Sequence, residues 1–189
     1  MKNVHFITAA PDGKILSSGV TQETALEHMP GAIEVSEEVA PGTHYVHNRQ
    51  VIPMGIPPSP EHVFDYVKKA WRDPRTLDMH KAAKLSALKL ARDNQINGGF
   101  TWSGSVFDSD PVSQTRLLGL KMKAQFSPYL CESWRLKNNE WRVLSTSDVL
   151  AVWDTFESHM RNAFLTFANR EARVSSAISV DEVNSVSWE

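Results

Sequence analysis

GGFTWSGSVFDSD, residues 98–110, reads as a helix stop, a tight hairpin and a helix start with no position left over. Gly98 and Gly99 close a charged helical segment, because glycine accepts the left-handed backbone that helix C-termini often need. Ser103 and Gly104 then form a two-residue turn between short strands. That register sets Trp102 against Ser105, Thr101 against Val106 and Phe100 against Phe107, with the three aromatic rings on one face. A slip of one residue would divide the rings between two faces and is disfavoured. Asp110 followed by Pro111 is an N-cap with proline at the first helical position, where the missing N–H costs nothing. Gly98, Gly99, Phe100, Trp102, Gly104, Phe107 and Asp110 therefore make a fold signature, and none of them belongs to a reactive constellation.

Outward from this stretch the helices declare themselves. Leu77–Asn97 is rich in Ala, Leu, Lys and Arg and is predicted helical. A second helix runs from Pro111 to about Gln125 and stops before Pro128. In SWRLKNNEWRVL, residues 133–144, a turn at Asn138 and Asn139 places Leu136 against Trp141 and Trp134 against Val143 on one apolar face. The opposite face pairs Lys137 with Glu140 and Arg135 with Arg142; the two arginines are either simply solvated or placed to receive a carboxylate. Ser145, with Asp148 three residues on, starts a long helix reaching to about Ala172. Along it Val149, Trp153, Phe156, Met160, Ala163 and Phe167 recur at spacings of four and three, widened by Phe164. This seam is open to two readings: a face buried in its own domain, or an intersubunit, coiled-coil-like partner interface through Trp153, Phe156, Met160, Ala163 and Phe167. A capping pattern at Ser179–Glu182 predicts a short helix before Trp188.

The composition changes near residue 60. Residues 1–60 hold 3 Lys or Arg against 6 Asp or Glu and no tryptophan, while the remainder holds 17 against 16 and all six tryptophans. PMGIPPSP, residues 53–60, resists helix and sheet and reads as an extended linker. The expected organisation is a small β domain over 1–52, a proline-rich linker over 53–60 and a hairpin-plus-helix domain over 61–189, an α+β fold ending in a long helix. Strands are predicted at Val4–Ala9 and Ile15–Val20 around a turn at Pro11–Lys14, with a short helix at Thr21–His28 and a hairpin at His44–Ile52 turning on Asn48 and Arg49. After the linker, VFDYVKKAWRD reads as a further hairpin in which Phe64, Tyr66 and Trp71 share a face and Asp65 opposes Arg72.

With 189 residues, 41% hydrophobic and 22% charged, the chain has the composition of an ordinary soluble globular protein. Its net charge of −2 gives no electrostatic case for nucleic acid or an anionic membrane. The lone cysteine, Cys131, forms no intramolecular disulfide and suggests a reducing cytosol. The first residues are too short and too polar an apolar stretch for a signal peptide, and no run reaches the roughly 20 apolar residues of a membrane span. No phosphate loop, dinucleotide fingerprint, nucleophile elbow or zinc-protease helix is present. His44 and His47, three apart in a strand, point to opposite faces, and Asp110 is better used as a cap than with Asp108 on a cation. No catalytic, cofactor-binding or metal-binding residue is assigned, and the chain is not expected to be an enzyme.

From about Leu77 to Ser179 the chain resembles a domain of unknown function recurrent in tail-associated proteins of tailed bacteriophages and prophages. The resemblance rests on Gly98, Gly99, Phe100, Trp102, Gly104, Phe107–Asp110, Ser113 and Arg116, then Trp134, Asn138, Trp141 and the helix start at Ser145. It departs at Lys121–Glu132, where Pro128 interrupts a helix. The resemblance implies a structural component of a phage tail: a tail-fibre or tail-spike protein or an adaptor. Such a protein acts through other tail proteins and as a homo-oligomer, a trimer first, made in the host cytoplasm and then carried in the virion tail. The alternatives are a tail-fibre assembly chaperone absent from the mature virion, and an enzyme or small-ligand protein with an interdomain cleft.

Overall fold

A computed structural model describes residues 2–189 and divides the chain into two compact units, one ending at Arg75 and the other beginning at Thr76. The fold is α+β.

In the N-terminal unit, β1 (Asn3–Ala9), β2 (Ile15–Gln22) and β3 (Ala32–Val35) form an antiparallel sheet in the order β2-β1-β3, with α1 (Glu23–Leu26) between the last two. The helix is shorter than the predicted Thr21–His28, because β2 keeps pairing with β1 through Thr21 and Gln22 and takes those residues into the sheet. Ile7, Ile15 and Val39 are its core. The hairpin β4 (His44–His47) and β5 (Gln50–Pro53) turns where expected, with Asn48 and Arg49 both at positive φ.

The hairpin β6 (Val63–Asp65) and β7 (Ala70–Arg72) also belongs to this unit, which moves the boundary from the proline segment to Arg75. Phe64 lies 5.0 Å from Tyr45 and 5.4 Å from Trp71, centroid to centroid, and the Trp71 indole donates to the Met54 carbonyl at 2.9 Å. Met54 is itself buried. Residues 53–60 are thus tied into the unit rather than joining two domains. Asp65 stands opposite Ala70, not Arg72, and meets the Arg72 guanidinium diagonally at 3.6 Å.

The C-terminal unit starts with α2 (Leu77–Asn97), capped by the Thr76 hydroxyl. The segment 98–110 then follows the expected register residue by residue: β8 (Phe100–Trp102) pairs with β9 (Ser105–Phe107) across Ser103 and Gly104, both at positive φ. Gly99 has φ +99°, and a Cβ there would sit 2.9 Å from the Phe107 carbonyl oxygen, so only glycine fits. Ser109, fully buried, accepts the Gly99 N–H at 2.8 Å and donates to the Ile96 carbonyl. Asp110 caps α3 (Pro111–Phe126), accepting from the Val112 and Ser113 backbone at 2.9 and 3.2 Å.

The hairpin β10 (Cys131–Arg135) and β11 (Trp141–Ser145) differs from expectation by one residue. Trp134 opposes Arg142 and Arg135 opposes Trp141. The connection is a three-residue loop, Lys137–Asn139, closed by Leu136 N–H to Glu140 and Asn139 N–H to Leu136. Only Asn139 takes positive φ, while the Asn138 side chain accepts from Glu140 N–H at 3.1 Å. The slip sends Trp141 and Val143 to the exposed face and Arg142 to the inner one. Arg142 lies 4.6 Å over the Trp102 ring and donates to Ser105 Oγ at 2.7 Å. The two arginines are therefore on opposite faces and form no joint carboxylate site.

The last long element, α4 (Thr146–Ser176), is opened by a reciprocal capping box between Ser145 and Asp148 and outruns the predicted end at Ala172 by a turn. At 31 residues it spans about 46 Å. Its seam faces inward: Trp153, Phe156, Ala163 and Phe167 are buried and Met160 packs against the same core, covered by this chain's own α2, α3 and hairpins. The partner-interface reading of these five residues is corrected accordingly. Phe164, at the margin, is half exposed under the Arg92 guanidinium. The short α5 (Val180–Ser185) and Trp188 close the far end over Leu88 and Val174.

Hydrogen bonds hold two cap carboxyls below the usual aspartate range: the Ser113 hydroxyl acts first on Asp110, and the Ser145 hydroxyl first on Asp148. A carboxyl with a lowered folded pKa stabilises the fold above its unfolded value of about 4, and that stabilisation is lost as pH falls through the lower folded value. Asp110→Asn with Asp148→Asn keeps good capping residues and removes the titration. The double variant is expected to lose less stability than the parent as pH falls below about 5, read as the shift in urea midpoint.

Candidate functional site

In the C-terminal unit a cleft of about 660 Å³ lies between α3 and the β10–β11 hairpin. Helical spacing builds one wall: Ser113, Arg116, Leu120 and Lys123 fall three, four and three apart and so share a flank of α3. Gly119 lies on the same wall, and a Cβ there would meet nothing within 4 Å. The facing wall is β10 from Glu132 to Arg135 with Leu136 after it, joined by Asn139 of the turn and Trp141 at the start of β11. Asp108, from the loop before α3, closes one end. Leu120, Trp134 and Leu136 supply its apolar lining; Leu136 is buried and the other two are partly buried.

The charges divide into a satisfied pair and free groups. Lys123 and Glu132 form an ion pair across the cleft. Arg116, Arg135 and Asp108 have no side-chain hydrogen bond or ion pair among the described residues. Trp141 is 69% exposed, and no ring or cation lies against it among the described residues. The other tryptophans are buried or partly buried, and Trp102 and Trp153 carry the cations of Arg142 and Lys121 on their faces.

A second surface lies on the solvent side of α3. Leu118, Met122 and Phe126 follow one another four residues apart and are exposed, Phe126 at 87%, as are Val112 in the first turn and Tyr129 just beyond the helix, at 93%. The helix contains Arg116, Lys121 and Lys123 and no acidic residue.

Among the fold-signature residues, Phe100 and Phe107 stack at 5.5 Å in the core, Trp102 meets Phe107 edge-on at 6.1 Å, and Asp110 is a cap. They hold the scaffold beneath the cleft and do not line it. Sequence reasoning assigned no function to Arg116, Arg135 and Asp108 together, since they lie on a helix, a strand and a loop that only the tertiary fold assembles. Trp141 lies on the outer face, one residue away from the expected register, and no local signal decides this, because the contacts of Arg142 with Trp102 and Ser105 are distant in sequence.

Among the described residues, no group of three or more His, Cys, Asp or Glu is placed to hold a metal ion. No described helix is long and apolar enough to cross a membrane. No curated protein and no solved structure matches the chain. Residues 79–186, more than half of the chain and the segment that carries the hairpins, the cleft and α4, match one family model throughout, and the chain thus belongs to the family described as "Domain of unknown function (DUF4376)".

Proposed function

We propose that this chain is a structural component of a bacteriophage tail, a tail-fibre or tail-spike protein or an adaptor, acting through protein–protein assembly and not through catalysis. The observation that supports this reading best is the exposed stripe on α3. Leu118, Met122 and Phe126, with Tyr129, leave large apolar side chains in water on a helix whose charges are all basic. Exposed apolar surface at helical spacing marks a partner contact, with Met and aromatic residues the usual anchors. The partner that fits is another tail protein presenting an apolar groove. The residue pattern at Gly98–Asp110, Trp134 and Trp141 resembles domains of tail-associated proteins and supports the same setting.

Mass spectrometry of purified particles tests the proposal. Stoichiometric copies are expected, and Met122→Glu with Phe126→Glu is expected to reduce incorporation at least about tenfold while leaving the helical circular dichroism intact, because both side chains lie outside the core. Abundance in infected cells with absence from the particle would overturn the reading in favour of an assembly chaperone.

A further inference from the structure

We propose that the cleft between α3 and β10 binds a saccharide carrying a carboxylate, with the sugar ring laid on Trp141. The site is independent of the tail reading: its α3 residues, Ser113, Arg116, Leu120 and Lys123, are none of those in the assembly stripe. Its starting point is the register of the β10–β11 hairpin. The three-residue loop turns the Trp141 indole outward, with Arg135 its direct cross-strand partner on the same face. An indole left largely in water, with no ring or cation on it, is an open platform for a flat, weakly polar face.

The lining selects what such a face belongs to. An apolar ligand would strip water from Asp108, Arg116 and Arg135 without pairing them, at a large desolvation cost. A phosphate-rich ligand would meet the carboxylates of Asp108 and Glu132. A sugar hydroxyl both donates and accepts, and the cleft offers both roles: Arg116 and Arg135 donate, Asp108 accepts, and Asn139 does either. The apolar CH face of a pyranose matches the indole. The formal charges then call for an acidic sugar: with Lys123 and Glu132 neutralising one another, two free guanidiniums face one free carboxylate, leaving one positive charge. A guanidinium grips a ligand carboxylate through two parallel hydrogen bonds. The volume of about 660 Å³ is within the range of small-molecule sites.

The test is a titration of the ¹⁵N-labelled full chain, following the tryptophan indole N–H resonances. The probes are short hyaluronan, alginate and polygalacturonate oligosaccharides, the carboxyl-reduced neutral form of each, and hexaglutamate. At least one acidic oligosaccharide is expected to shift the Trp141 resonance in a saturable way. Carboxyl reduction, or Arg135→Gln, is expected to weaken binding about tenfold or more. Trp141→Ala should abolish the shifts at the remaining cleft residues. Gly119→Leu should do the same by filling the cleft, and it is compatible with the fold because a Cβ at this position meets nothing within 4 Å and leucine favours helix. Absence of a shift with all three acidic oligosaccharides, equal binding of the reduced forms, binding that survives Trp141→Ala, or a response to hexaglutamate alone would each overturn the proposal, the last in favour of an acidic peptide.

Discussion

Phe156→Ala is expected to destabilise the C-terminal unit by about 3–5 kcal/mol, the range for removing a large aromatic side chain from a packed core. Phe156 is 2% exposed, with Phe100 at 5.5 Å and Trp153 at 5.7 Å, centroid to centroid. Those rings come from β8 and from α4 itself, and Phe100 is held in turn by Phe107 at 5.5 Å. These rings are themselves packed, so the hole closes only in part and a cavity contribution remains. Urea unfolding followed by circular dichroism measures the loss. Phe164→Ala, on the same helix but half exposed, is the control and should cost less than about 1.5 kcal/mol. Because the seam is covered from within the chain, the cost of Phe156→Ala should be the same at every protein concentration. A cost that changed on dilution would mark an intersubunit seam.

Gly13→Ala is the corresponding lesion in the N-terminal unit, with an expected cost on the order of 3 kcal/mol from backbone strain and overpacking together. Gly13 sits at φ +92°, and a Cβ there would run into the Val46 carbonyl oxygen. That oxygen belongs to backbone and cannot rotate away. Moving it would disturb the bond from Val46 N–H to the Gly13 carbonyl, 2.8 Å, and the adjacent bridge between Lys14 and Tyr45. Hydrogen exchange is the suitable measurement, since it reads opening segment by segment. Protection should fall at β1, β2 and β4 and persist in α2 and α4.

The elements read correctly from sequence share a physical property: their determinants are neighbours along the chain. Gly99, Ser103, Gly104, Asp110 and Ser145 each impose a backbone angle or fill an orphan N–H within a few residues, so residues 98–110 and the start of α4 were legible in full. The misread elements depend on distant partners. Asn138 and Asn139 suit a two-residue or a three-residue loop equally well, and Arg142 favours the latter through Trp102, Ser103 and Ser105, about forty residues earlier. The domain boundary depends on Phe64 finding Tyr45 and Trp71 finding Met54. The heptad pattern of α4 showed which side chains want to leave water, but not what covers them. Its cover, α2, buries only His80, Leu88 and Ile96, too sparse a set to announce itself as a packing face. The cleft was the least legible feature, because its free groups come from Asp108, Arg116 and Arg135 on three separate segments.

The Ser109 hydroxyl has a consequence for how the domain comes together. Its bonds to Gly99 and Ile96 span ten and thirteen residues, so the chain closes only short loops to make them, at small entropic cost. The same holds for the hairpin between them and for the Asp110 cap. The turn from α2 through the hairpin to the start of α3 is therefore specified locally, while α4, which packs on α2, on α3 and on β8, brings the two helices into one core. The local geometry and the long-range burial are supplied by different stretches of the chain.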